Sequence, residues 1–347
     1  MWKHLLTNLK SLGQKSNVMK MGNPWNAPSL RCLCTWVSGF VAAPASARPL
    51  AVFRIGIAAV LLAQAYAYSE SLVALYGSLG IVQSPIAELM APQGVPRISW
   101  LVEALTPWGV AEGDCIRGLF LLYVVGLAGL LVGWRTPWMA VVAWLTQLTL
   151  KTSGTASAYG VYEFANIALF YCVWMPVGHA FSLDVRRGRV SGEPSSGARL
   201  ALRVLQLHLC VVYFASGVEK ASGTQWWDGE AFWRAVMRPD AGPFDFSWLA
   251  DVPWIAKLAC WGTLLIEIGY AFFVWPRWTR KAWALASVGL HVGIGVILGL
   301  WSFSAVMIVF TASAFLISPE SLVSDTASEE QKGDIQDAGA TNISSGA

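Results

Sequence analysis

Residues 200–220 read LALRVLQLHLCVVYFASGVEK, an apolar stretch that ends on a lysine and runs into a tryptophan-rich segment. As a helix, about twenty such residues cover the ~30 Å of hydrocarbon in a bilayer. Working outward, comparable stretches lie near 50–68, 115–134, 137–152, 162–178, 253–275, 282–299 and 301–318. The third and fourth stretches in chain order are short, and a tilted or partly re-entrant path suits them. The fold expected is therefore all-α: a polytopic transmembrane bundle of about eight spans. Composition agrees, with 55% hydrophobic and only 13% charged residues, where a soluble domain carries about a quarter charged. Nineteen tryptophans fit aromatic belts at both interfaces.

The chain divides by composition into three parts. Residues 1–48 are a basic lead-in with Lys3, Lys10, Lys15, Lys20, Arg31 and Arg48 and no acid before Glu70, with room for an interfacial helix. Residues 49–320 are the transmembrane domain. Residues 321–347 are polar, acidic and rich in Ser and Ala, and are expected to be a disordered tail. The first apolar run begins near Leu50 and lacks the short core and small-residue cleavage site of a secretory signal. A net charge of +3, with the basic residues between apolar stretches, argues against nucleic-acid binding.

Positive charge sets orientation. Arg135, the group Arg186, Arg187, Arg189 and Arg199, and the group Arg277, Arg280 and Lys281 occupy alternate connections. This alternation predicts a cell-membrane protein with both termini cytoplasmic and Lys220 on the outer side. Two outer connections, 69–114 and 220–252, are too long for turns. Their prolines and tryptophans suggest short interfacial helices that roof a cavity between the spans.

Ionisable residues inside spans are costly and are functional candidates by default. His291 lies mid-span among glycines, and either bonds a neighbouring helix or lines a cavity as a donor or proton carrier. Glu267 lies about midway through the sixth stretch and must be protonated, paired or hydrated. His208 reads as structural. Arg54 reads as snorkelling to headgroups from the start of the first span. Lys220 has two readings. It is an anchor that snorkels, which its position favours, or it is a base. In the second reading Glu219 and Trp226-Trp227-Asp228-Gly229 form a partly dry pocket that disfavours the ammonium. Cys172 and Cys210 read as buried apolar residues. Cys32-x-Cys34 lacks the accompanying ligands of a metal centre, and no metal site is expected. Phosphate loops, nucleophile elbows and zinc-protease motifs are absent from the sequence.

The stretch Tyr213-Phe214-Ala215-Ser216-Gly217-Val218-Glu219-Lys220, followed by Trp226, Asp228 and Gly229, resembles the bacterial HTTM-domain family, which is related to vitamin K-dependent gamma-carboxylases. Met175-Pro176-Val177-Gly178-His179-Ala180-Phe181-Ser182-Leu183-Asp184 resembles an inner loop of that family, and Glu267 and His291 fall where its later spans carry a glutamate and a histidine. The resemblance covers roughly residues 48–320. It implies a reduced vitamin K-type quinol as cofactor, Lys220 as the base that deprotonates it, and His291 beside the quinone pocket. Trp226, Trp227 and Glu267 are then candidate cofactor-binding residues. It further implies an outward-facing lyase-like chemistry on an exported peptide or a small molecule. The alternative is a non-enzymatic accessory or scaffolding protein, in which Lys220 anchors a helix and Glu267 and His291 serve packing. A transporter is less favoured, because the two halves share no repeat symmetry.

Overall fold

A computed structural model describes residues 35–319 apart from 36, 82, 84, 85, 87, 88, 90–92, 155–159, 240, 241 and 243. The Cys32-x-Cys34 pair, most of the basic lead-in and the acidic tail lie outside the described residues. The chain forms two units, Met1–Ala43 and Pro44–Ala347. In the first, the described residues 37–42 are helical.

In the second unit the eight apolar stretches are eight helices: α1 (Arg48–Tyr68), α2 (Glu112–Val132), α3 (Thr136–Ser153), α4 (Gly160–Trp174), α5 (Ser196–Ser222), α6 (Trp254–Phe273), α7 (Arg277–Leu298) and α8 (Trp301–Thr311). The last runs on as a π-helical turn, Ala312–Leu316. No strand is found among the described residues. Five segments are long and apolar enough to cross a membrane: Arg48–Tyr76, which is α1 with the short turns that continue it, then α2, α5, α6 and α7. The protein is an integral membrane protein. The short helices expected in the two long connections are present, at Leu72–Tyr76, Ile98–Leu105, Thr224–Asp228 and Glu230–Val236.

Local chemistry sets the helix ends. Pro49 and Pro137 occupy the first turns of α1 and α3, where a missing N–H costs nothing. Ser195 caps α5 by accepting from the Ala198 N–H. Helices α2 and α7 stop at Gly133 and Gly299, both left-handed.

Helices α1 to α4 pack together, α5 packs on α6 and α6 on α7, and α8 joins the two groups by touching α1, α4 and α7. Edge-to-face contacts of Phe310 with Phe53 at 5.0 Å and with Phe164 at 6.2 Å mark that junction. Large apolar side chains point outward as well: Val211 is 63% exposed and Leu265 is 64% exposed. Apolar groups on both the inner and outer faces of one helix mean that lipid is the solvent.

The snorkelling role expected of Arg54 is overturned. Its side chain is fully buried, and it donates to the carbonyls of Leu130 at 2.5 Å and Phe181 at 2.7 Å. The start of α1 is covered by the end of α2 and by the loop before Leu183, so the guanidinium finds acceptors inside the protein. The same loop is fastened by Asp184, which accepts from the N–H of Arg135 at 2.9 Å, the N–H of Thr136 at 2.7 Å and the Thr136 hydroxyl at 2.8 Å. Burial pushes the Asp184 carboxyl up, but the bonds from Thr136, Arg135 and Arg189 together outweigh it and hold the group below its ordinary value. The stretch Met175–Asp184 is thus a clamp that closes the α2–α3 turn.

Candidate functional site

Tyr213, Ser216, Gly217 and Lys220 recur at three- and four-residue intervals, so they share one face of α5. That face meets α6. A Cβ placed on Gly217 would lie 2.7 Å from Ile268 Cγ1, 3.0 Å from the Ile268 backbone N and 3.1 Å from Glu267 Cβ. Only a glycine lets the helices approach this closely. The approach sets Lys220, one turn further on, against Glu267.

The Lys220 ammonium turns inward. Its Nζ lies 2.9 and 2.8 Å from the two Glu267 carboxylate oxygens and also donates to Ser216 Oγ. The side chains are 25% and 9% exposed. The Trp226 ring centroid lies 5.5 Å from Nζ, within cation–π range. This is a covered ion pair, not a lysine reaching for headgroups.

Depth follows from register. From Gly217, α5 continues only ~8 Å to Ser222, whereas from Glu267 α6 extends ~20 Å back to Trp254, at ~1.5 Å per residue. Helix α5 therefore ends roughly 12 Å short of the α6 start. The helices Thr224–Asp228 and Glu230–Val236 fill that space by packing on α6. Gly229 joins them with φ +92°, and a Cβ there would sit 2.7 Å from the Lys257 backbone N. The motif Trp226-Trp227-Asp228-Gly229 is thus a turn pinned to α6 that lays Trp226 over Lys220. Trp227 lies outside the cluster. It is 53% exposed, its indole N–H donates to the Ala221 carbonyl at 2.7 Å, and its own carbonyl accepts from Trp261 at 3.0 Å.

His291, on α7, is 4% exposed and belongs to a second group. Its Nε2 is hydrogen-bonded to the Tyr213 hydroxyl at 2.7 Å, and that hydroxyl meets Ser287 Oγ at 2.6 Å. Ser287 Oγ lies 3.5 Å from Thr311 Oγ1 on α8. His291 Nδ1 is buried without a hydrogen-bond partner. Tyr213 is the link between the groups, because it stands on the same face of α5 as Lys220. His208 stands apart, with Nδ1 2.8 Å from the Tyr171 hydroxyl on α4.

The structure thus brings Lys220, Glu267 and Trp226 together, places His291 beside them through Tyr213, and leaves Trp227 on the surface. Sequence reasoning missed Tyr213, Ser216, Ser287 and Thr311. Helical spacing from Lys220 was the available signal for the first two. For Ser287 and Thr311 no signal existed, since a hydroxyl in a span is common. Among the described residues no three His, Cys, Asp or Glu side chains are grouped to hold a metal ion.

Comparison with known proteins places this arrangement in context. The family model described as "HTTM domain" matches residues 43–317. The chain is 25% identical over 263 residues to "Uncharacterized protein YitO" of Bacillus subtilis (strain 168), an alignment covering 70% of this chain and 82% of that protein. No solved structure matches the chain.

Proposed function

Because the chain belongs to the HTTM-domain family, whose domain is shared with vitamin K-dependent gamma-carboxylase, we propose that it is a membrane enzyme in which Lys220 and Glu267 together form a base for a weakly acidic apolar ligand of the lipid quinol class. The observation that carries this reading is the inward-turned Lys220 amine, joined to a carboxylate beneath an aromatic ring. The pair is electroneutral as ammonium plus carboxylate, or as amine plus acid. It therefore persists away from water at less cost than either charge alone. Its protons belong to the pair and not to one residue. Taking one proton from a ligand hydroxyl leaves ammonium plus acid, with the ligand anion beside the new positive charge. A reduced quinol would supply weakly acidic hydroxyls whose deprotonation prepares the ring for oxidation by oxygen. Trp226 offers a face for stacking and excludes water, which keeps the amine form a strong base. His291, held through Nε2 by Tyr213, presents Nδ1 as a supporting polar group.

In the same reading all eight helices cross the bilayer, both termini are cytoplasmic, and the Lys220 end faces outward, where an exported peptide or a small molecule would be modified in a carboxylation-like or maturation step. Purified protein supplied with a vitamin K-type hydroquinone and oxygen should consume oxygen. Lys220→Ala and Lys220→Arg should each lose about a hundredfold or more, the usual range for a general base, because arginine stays protonated. Full activity in Lys220→Ala, or no uptake above a protein-free control in the wild type, ends this assignment.

A scaffolding reading is favoured by one feature: the Lys220–Glu267 contact pairs both charges and adds an ionic tie between α5 and α6. In that case replacing both partners by neutral residues leaves the native process intact.

A further inference from the structure

The polar groups of this bundle extend well past the Lys220–Glu267 pair. Along α5, Arg203, Gln206, Cys210, Tyr213, Gly217 and Lys220 recur at alternating three- and four-residue steps, a single stripe running nearly the length of the helix. Each polar member engages its surroundings. Arg203 Nη1 donates to Gln206 Oε1 at 2.8 Å. Gln206 Nε2 donates to the Ala314 carbonyl at 2.6 Å, in the π-helical turn that ends α8. Such turns free carbonyls from the regular ladder and are frequent at functional sites. Thr311 and Ser287 continue the series to Tyr213 and His291.

Four buried polar atoms beside this series have no hydrogen-bond partner: Tyr270 Oη, Ser313 Oγ, Ser304 Oγ and His291 Nδ1. Three border the column directly. Tyr270 stacks on Tyr213 with ring centroids 4.3 Å apart, Ser313 precedes the Ala314 that accepts from Gln206, and His291 is bonded to Tyr213. Ser304 packs at Gly295, one turn along α7 from His291. Orphaned polar atoms at such positions are where internal water is held, given two or more polar neighbours.

The Lys220–Glu267 pair needs none of this for its own stability. Ionisable groups inside a bundle are costly and are functional candidates by default, and here His291 and Arg203 stand in one series with hydroxyl and amide groups. Hydroxyls, imidazole and water both donate and accept, so they pass protons.

We propose that this column, completed by water on the unpartnered atoms, conducts protons between the Lys220–Glu267 pair and the Arg203 end of the bundle. Its role as the route by which the proton taken from a ligand leaves rests on the reading of the pair as a base. Its existence does not.

The test uses the full-length protein reconstituted in phosphatidylcholine vesicles with an entrapped pH-sensitive dye, driven by a potassium diffusion potential set with valinomycin, and without quinol. Wild-type vesicles should pass protons well above protein-free vesicles. Tyr213→Phe and Thr311→Val, which remove hydroxyls at nearly constant shape, should return the flux to the protein-free level. Val211→Leu, on the lipid-facing side of α5, should leave it unchanged. Wild-type flux equal to that of protein-free vesicles overturns the proposal whatever the variants do, as does wild-type flux that persists in both hydroxyl variants. Absent flux with oxygen uptake intact removes the column and leaves the base, and flux without uptake does the reverse.

Discussion

Replacing Lys220 with methionine strands the Glu267 carboxylate. That side chain is 9% exposed, whereas the lysine it pairs with is 25% exposed. The two halves of the pair should therefore respond unequally. Breaking a fully buried pair costs about 3–5 kcal/mol, and a surface pair about 0–1 kcal/mol. Lys220→Met leaves the more enclosed charge unpaired and should cost about 3 kcal/mol, near the low end of the buried range. Glu267→Gln leaves an ammonium with Ser216, the Trp226 face and some access to solvent, so about 1–2 kcal/mol is expected after allowing for screening. The double variant strands neither charge. It should lie within about 1 kcal/mol of the wild type, a coupling well above the few tenths seen between independent sites. The measurement is equilibrium unfolding in mixed micelles titrated with SDS, followed by circular dichroism, for all four proteins. Equal costs for the two single variants, or a double variant as unstable as their sum, would refute the covered ion pair on which the functional reading depends.

Other perturbations have separable outcomes. Gly229→Ala forces a Cβ against the Lys257 backbone at a left-handed φ. It should cost more than the ~1–3 kcal/mol typical of overpacking and expose the 224–236 segment to limited proteolysis. Gly217→Ala meets the Ile268 backbone and should part α5 from α6, lowering the melting temperature and weakening the Lys220→Met/Glu267→Gln coupling. Asp184 has a depressed carboxyl in the folded state, so its contribution is complete above the ordinary carboxylate value of ~3.9 and is lost as pH falls through the lower folded value. The melting temperature of Asp184→Asn should accordingly change less than that of the wild type across this acid window. Arg54→Lys keeps the charge but cannot span the Leu130 and Phe181 carbonyls together, and thermal unfolding should register a loss of about 1–3 kcal/mol.

Helix positions were legible because hydrocarbon imposes a length and a composition on any spanning segment. The stretch 253–275 is α6 from Trp254 to Phe273, and 50–68 is α1 from Arg48 to Tyr68. The last stretch, 301–318, is helical only to Thr311 before the π turn, which hydropathy does not distinguish. Candidate residues were legible as expensive groups: Lys220, Glu267 and His291 stand out because a bilayer penalises them. Their partners were not legible, since pairing depends on register between helices. Lys220 was placed at a bilayer edge because apolar sequence ends there. Its surroundings are in fact set by α6, which overhangs the end of α5 and carries the 224–236 helices across it. Arg54 was misplaced for the same reason: nothing near it in sequence announces the loop that covers it.

That covering loop has a consequence for biosynthesis. Phe181, whose carbonyl holds Arg54, is made 127 residues after it. At ~5–20 residues per second, roughly 6–25 seconds separate the two. Through that interval the first segment carries a positive charge that lacks its Phe181 acceptor, although the Leu130 carbonyl, 76 residues on, is made earlier. The Arg54–Phe181 contact of α1 therefore cannot form until the fourth segment and the loop after it have emerged.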